Sequence, residues 1–143
     1  MGNILRKSYF KVLTPAILCF VLITLTRRFD FIHIGQIPYM EFFAPLVFVL
    51  SVIFAIAFPI LFRVVFAHKL RLKKDISKND LIRFERNCIY IALVTPYLAF
   101  IAYLLEFDRF FLVGTFLMAL YATYYFYPSK KRIKFEKRIF RVK

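Results

Sequence analysis

Four long apolar segments alternate with polar ones along the chain. Three of them, 42–62, 87–105 and 110–127, contain no charged residue. The remaining segment, 8–26, is the first in the chain. It reaches a similar length if Lys11 extends its side chain back to the interface. Because about 20 helical residues cross a hydrocarbon core of about 30 Å, each segment is long enough to form a transmembrane helix. The pattern therefore predicts an all-α, polytopic membrane protein with four transmembrane helices.

The polar segments carry an asymmetric charge. The loop 63–86 and the tail 128–143 each contain eight Lys or Arg residues, and the amino-terminal end carries three more, Arg6, Lys7 and Lys11. The other two loops contain three together, so alternate sides of the predicted membrane carry 19 and 3 basic residues. Lys and Arg are retained on the cytoplasmic side. We therefore expect both termini and the loop 63–86 to be cytoplasmic, in the inner (plasma) membrane or in an organellar inner membrane.

The composition agrees with one membrane domain over 1–143. Hydrophobic residues make up 62% of the 143 residues, aromatic residues make up 20%, and the mean hydropathy is +0.67. Soluble domains are about half apolar, and disordered chains are less apolar still. These values exclude both classes. The first apolar segment lacks a small-x-small cleavage site, so we expect it to remain as a helix.

Small residues recur at helical spacing within the apolar segments. Helices pack closely in lipid where small side chains let their backbones approach. These residues are Ala16 in the first segment, Ser51, Ala55 and Ala57 in the second, Ala92, Pro96, Ala99 and Ala102 in the third, and Gly114, Thr115, Ala119 and Ala122 in the fourth. Their faces predict either a compact four-helix bundle or surfaces for a larger partner.

The basic loop 63–86 contains signals for a short helix. Ser77 or Asn79 is suited to cap its start. Leu81, Ile82 and Phe84 would then face the bilayer.

The tail has an amphipathic pattern. Phe135, Ile139 and Val142 follow helical spacing, with basic residues on the other face. This pattern is typical of a helix on a membrane surface, where each basic residue attracts anionic lipid by about 1 kcal/mol. The expected partners are thus anionic headgroups, together with proteins of a membrane complex. No nucleic acid is expected, since positive-inside topology already accounts for much of the charge.

Catalytic and cofactor chemistry is not evident in the sequence. His33 and His68 fall on opposite predicted sides of the membrane, and no ligand cluster at zinc-like spacing surrounds either. Cys19 and Cys88 differ in predicted depth by roughly 18 Å, which is beyond disulfide reach. With three Gly residues, the chain has no phosphate-binding loop. We therefore predict no catalytic set, no cofactor and no metal site.

The charges nearest the predicted membrane boundaries are the remaining candidates. They would contact lipid or protein partners, or anchor helix ends. They are Glu41, Arg63, Glu85, Arg86, Glu106, Lys130, Lys131 and Arg132.

A short segment of the last helix resembles a known family. Arg109-Phe110-Phe111-Leu112-Val113-Gly114 is similar to the RF-x-x-VG helix opening of the GtrA-like family of small four-helix membrane proteins. That family is associated with moving or presenting polyprenyl-linked sugars. The resemblance covers six residues in the fourth helix, where the family has them in the first, so we assign no family.

Three hypotheses follow. The first is a non-catalytic small subunit, or an assembly or stabilising factor, of a larger inner-membrane complex. The alternative is a small transporter or lipid-carrier flippase acting as a homo-oligomer. The Thr14-Pro15 and Thr95-Pro96 pairs, 81 residues apart, would form its gate. An enzyme acting on a lipid or quinone near Glu85, Arg86 and Tyr90 is the third.

Overall fold

The regular structure of the chain is helical. The computed structural model describes residues 2–29, 40–71 and 77–139, and no strand occurs among them. Three helical segments are long and apolar enough to cross a membrane: Gly2–Arg28, Phe42–Lys69 and Asn79–Leu104. The first is a single α-helix, and each of the other two combines two α-helices. A fourth candidate span is the bent pair Arg109–Tyr125 and Lys130–Ile139. The prediction of an all-α chain with several apolar helices is thus confirmed for the part described.

Seven α-helices lie within the described ranges. They are α1 (Gly2–Arg28), α2 (Met40–Val52), α3 (Phe58–Arg71), α4 (Lys78–Ala92), α5 (Thr95–Leu104), α6 (Arg109–Tyr125) and α7 (Lys130–Ile139). A π-helical segment, Ile53–Ala57, joins α2 to α3 without a turn. Helix α5 packs on α6 and α1, α2 packs on α5 and α6, and α4 packs on α1 and α3.

The small residues make the contacts between these helices. Ala92, Ala99 and Ala102 are fully buried, as are Ser51 and Thr115. Close approach is clearest at Gly114, where an added Cβ would lie 2.6 Å from a ring carbon of Phe48. The small-residue faces are therefore used largely within the chain. Ala57, predicted to belong to this set, is instead exposed.

The two Thr-Pro pairs lie in different settings. Pro96 follows a break at Leu93 and Val94, because a proline has no N–H to donate to the carbonyl of Ala92. The Thr95 hydroxyl donates to that carbonyl instead, at 2.8 Å. Pro15 is exposed within the uninterrupted α1. The helix is therefore interrupted just before the Thr95-Pro96 pair but not at the Thr14-Pro15 pair.

The predicted loop 63–86 is mostly helical. Helix α3 continues to Arg71, since residues 63–71 contain neither Gly nor Pro, and α4 begins at Lys78. The Ser77 hydroxyl caps α4 by accepting from the Asn79 N–H at 3.3 Å, as predicted. The bilayer-facing assignment was wrong for Leu81 and Phe84: they are 0% and 8% exposed, because α3 and α4 pack together.

The tail helix turns away from the bundle axis. Helix α7 makes an angle of 74° with α6, and Pro128 lies between them. Phe135 and Ile139 are exposed on α7, whereas Ile133 packs against the core. Val142 lies outside the described residues. The amphipathic character of the predicted helix is thus retained, over a shorter length than 128–143.

Candidate functional site at the charged end of the bundle

The basic segments of the sequence meet at one end of the bundle. Arg6 at the start of α1 lies over the ring of Tyr127, with its guanidinium carbon 5.9 Å from the ring centroid. The Tyr9 hydroxyl donates to the Thr123 carbonyl at 2.8 Å. This carbonyl lies in the last turn of α6, so the tyrosine satisfies a group that the helix end leaves unpaired. The start of α1 and the end of α6 are thereby joined.

Four buried or half-buried charges lie together at this end. Arg63 comes from α3, Glu85 from α4, and both Arg132 and Glu136 from α7. Residues four apart share one face of a helix, so α7 presents a cation and an anion in the same direction. The chain turns at Pro128, and this face of α7 contacts α3 and α4. The Ser129 hydroxyl caps α7 by accepting from the N–H of Arg132 at 3.2 Å.

Arg132 makes several contacts within this group. Its Nη2 atom is 3.2 Å from Oε2 of Glu85, and Nη1 donates to the Tyr125 carbonyl at 2.7 Å. Its guanidinium carbon is 4.9 Å from the centroid of the Phe126 ring, within cation–π range. The side chains of Arg132 and Glu85 are 18% and 6% exposed. Arg132 therefore caps the C-terminal end of α6 and also neutralises the buried carboxylate of Glu85.

The second pair joins Arg63 and Glu136. The Arg63 guanidinium donates to Oε1 of Glu136, whose side chain is only 3% exposed. The other carboxylate oxygen, Oε2, is buried and has no hydrogen-bond partner among the residues described. Buried polar atoms nearly always have a partner, so this oxygen marks a position that a donor would occupy favourably.

A cleft open to the outside adjoins these charges. It contains about 340 Å³ of empty space, including the open volume at its mouth. One wall is polar, and Pro59, Ile60, Phe84 and Cys88 contribute to the rest. Two Arg and two Glu line it, so the formal charge of its lining is zero. The arrangement suits a small amphipathic group that can supply a hydrogen-bond donor.

A related pairing of an arginine with helix-end carbonyls and a glutamate occurs at the opposite end of the bundle. The Arg27 guanidinium donates to the carbonyls of Tyr103 and Leu104, at 3.0 and 3.2 Å, and pairs with Glu106 at 3.1 Å. Glu106 has a φ of 54°, and the N–H of Phe107 reaches the carbonyl of Ala102 at 3.2 Å. This is the Schellman ending of a helix, in which glycine is the usual residue.

The candidate residues from the sequence therefore separate into groups. Arg63, Glu85 and Arg132 meet at the cleft, and Glu106 lies at the far end. Arg86 is partly buried on α4, and its Nε atom has no partner in the described part of the chain. Lys130 and Lys131 are exposed on α7. The side chain of Glu41 lies outside the described residues.

Two residues of these end clusters were missed by the sequence analysis. Glu136 is the single acidic residue of the tail 128–143 and lies four residues after Arg132, which is a usable signal. Arg27 has no comparable signal, because its partners are 76 and 77 residues away in the chain. Glu85 pairs with Arg132 of α7 and Tyr90 is exposed, while the hypothesis of an enzyme site near Glu85, Arg86 and Tyr90 stays a prediction.

No protein-family model matches this chain, and no curated protein or solved structure is similar to it.

Proposed function

We propose that the chain is a multi-pass protein of the inner (plasma) membrane with both termini on the cytoplasmic side. Its long apolar helices support insertion. The contacts between Arg6 and Tyr127, and between Arg63 and Glu136, support a common side for the start of α1, the later part of α3 and the tail. Because these segments hold most of the basic residues, the positive-inside rule assigns that side to the cytoplasm.

Cysteine labelling tests this topology. Asn79 and Asp108 are both exposed. Asn79 begins the candidate span 79–104, and Asp108 lies in the turn that follows its other end. In a variant without Cys19 and Cys88, an impermeant maleimide added to intact cells is expected to label Asp108→Cys but not Asn79→Cys. Both should react after the membrane is opened, which is the control. Labelling of Asn79→Cys alone in intact cells would reverse the proposed orientation.

Within that membrane, the chain is proposed to act as a non-catalytic subunit or assembly factor of a larger complex. The observation that carries this proposal is that Glu85, Glu106 and Glu136 pair with arginines of the same chain at the two ends of the bundle. Many large apolar side chains are exposed, and Gly2–Arg28 is the least buried of the three candidate spans that need no bent pair, with only Leu5, Tyr9 and Ala16 buried. Partner helices would therefore contact α1, through van der Waals packing.

Co-purification tests this role. The tagged protein, extracted in mild detergent, is expected to elute as a large particle with defined partners at a fixed ratio. Leu22→Trp, on the exposed side of α1, should lower partner recovery, whereas Leu117→Trp, similarly exposed on α6, should not. A small, uniform particle containing this chain alone would contradict the subunit proposal and favour the transporter or flippase. Mass spectrometry of the particle distinguishes the two results.

A further inference from the structure

The unpartnered carboxylate oxygen of Glu136 indicates what the cleft would bind. The Glu136 side chain is 3% exposed, and its Oε2 atom lacks a hydrogen-bond donor within the described chain. An ionised carboxylate only accepts hydrogen bonds. The missing group must therefore supply an N–H or an O–H, and a charged donor makes the strongest such bond.

The charges around the cleft restrict the ligand further. Arg63 and Arg132 balance Glu85 and Glu136, so a ligand with a net charge would leave that charge uncompensated in a partly buried site. A ligand carrying both signs avoids this cost. Arg63 is suited to its negative group, because its side chain is 38% exposed and a guanidinium has five donors in a planar fork.

The apolar wall indicates that the ligand has a hydrocarbon part. Pro59 and Ile60 line the cleft on the α3 side, and Ile60 is 56% exposed. They belong to the candidate membrane span 42–69 and lie four and three residues before Arg63. A lipid whose headgroup enters the cleft could therefore extend an acyl chain along this surface.

We propose that the cleft binds phosphatidylethanolamine. Its primary ammonium donates to Oε2 of Glu136, its phosphate lies at the Arg63 guanidinium, and an acyl chain contacts Ile60. Phosphatidylcholine has the same net charge and the same chains, but its quaternary ammonium has no N–H. The site thus discriminates between the two lipids by hydrogen bonding. This inference rests on the proposed membrane placement, and not on the proposed subunit role.

Lipid retention by the purified full chain tests the inference. The protein is equilibrated in micelles with equal amounts of dioleoyl phosphatidylethanolamine and dioleoyl phosphatidylcholine, and its bound lipids are counted by native mass spectrometry. Phosphatidylethanolamine is expected to be retained about tenfold better than phosphatidylcholine, because it makes one more hydrogen bond to a charged group. The preference should persist while the ammonium keeps an N–H, as in the N,N-dimethyl lipid, and vanish in phosphatidylcholine.

Two variants on α3 separate the cleft from the general surface. Ile60→Trp should fill the mouth and abolish the preference while leaving the four charges in place. Val64→Trp is the matched control, since Val64 is 61% exposed on the same helix and does not line the cleft. Glu136→Gln should also remove the preference. Equal retention of the two lipids by the wild type, or a preference that Ile60→Trp leaves intact, would overturn the proposal.

Soluble phosphoethanolamine distinguishes the source of the headgroup. Failure of millimolar phosphoethanolamine to displace the bound lipid would support recognition of the whole lipid, including its chain. Binding of phosphoethanolamine with no preference for the lipid would overturn the assignment to the membrane. Failure of the proposed membrane placement would be recorded separately, as recovery of the protein without detergent. Loss of partner proteins leaves the lipid result unaffected, because the assay contains the purified chain alone.

Discussion

Replacing Arg132 with alanine is expected to destabilise the protein by about 3–5 kcal/mol, the usual cost of removing one partner from a buried ion pair. The substitution leaves Glu85 buried without its cation and leaves the Tyr125 carbonyl without its donor at the end of α6. It also removes the guanidinium from the Phe126 ring. The free energy of unfolding should be measured by helical circular dichroism during SDS titration of mixed micelles.

Lys131→Ala is the matched control for this experiment. Lys131 is the adjacent residue on α7 and is exposed, so its removal deletes an equal charge without a buried contact. Its unfolding midpoint should remain close to that of the wild type. A double variant, Arg132→Met with Glu85→Leu, should recover much of the lost stability, since both charges leave the buried site together. Equal destabilisation by Arg132→Ala and Lys131→Ala would contradict the buried pair.

The second large effect is expected for Leu81→Ala, at about 2–5 kcal/mol. Leu81 is 0% exposed and belongs to the core cluster at the charged end, together with Leu5, Phe84 and Ile89. Truncation would remove apolar contacts and leave a cavity beneath α4. The measurement is the same SDS titration.

Leu61→Ala provides the comparison. Leu61 is 56% exposed on α3, so its truncation changes lipid or detergent contacts and leaves no internal cavity. We expect little change in the unfolding midpoint for this variant. If Leu81 faced the bilayer, the two substitutions would have similar, small effects. The difference between them therefore tests the packing of α4 against α1 and α3.

The two ends of the bundle use the same chemical solution. Each has an arginine that donates to one or two carbonyls in the last turn of a helix and pairs with a glutamate. Each arginine also lies over an aromatic ring, Arg27 over Tyr103 and Arg132 over Phe126. Free carbonyls at a helix C-terminus and the negative end of its dipole both favour a cation.

Local signals predicted several features correctly. Ser77 caps α4, because a hydroxyl before a polar helical turn accepts from its free N–H groups. Ala92, Ala99 and Ala102 share a buried face, because their spacing follows the helical period. The sequence could not show that this face would be covered by the same chain instead of a partner, since a small-residue face suits either.

The charged cleft required the tertiary structure. Arg63 lies 73 residues from Glu136, and Glu85 lies 47 residues from Arg132, so no local pattern connects them. Their meeting depends on the 74° angle between α6 and α7. A proline predicts the end of a helix but not the direction in which the next one leaves. The same limit applies to Arg27, whose carbonyl partners lie 76 and 77 residues away in the chain.

The sequence by itself determined that the chain would form several apolar helices of membrane-spanning length, because unbroken apolar segments are a property of the chain that does not depend on how its helices pack. The tertiary structure decided which charges would become buried and where Leu81 would point. Burial depends on the faces that distant helices present to each other, and on the donors and acceptors that those faces bring within hydrogen-bond distance. The unpartnered oxygen of Glu136 is the outcome of that packing.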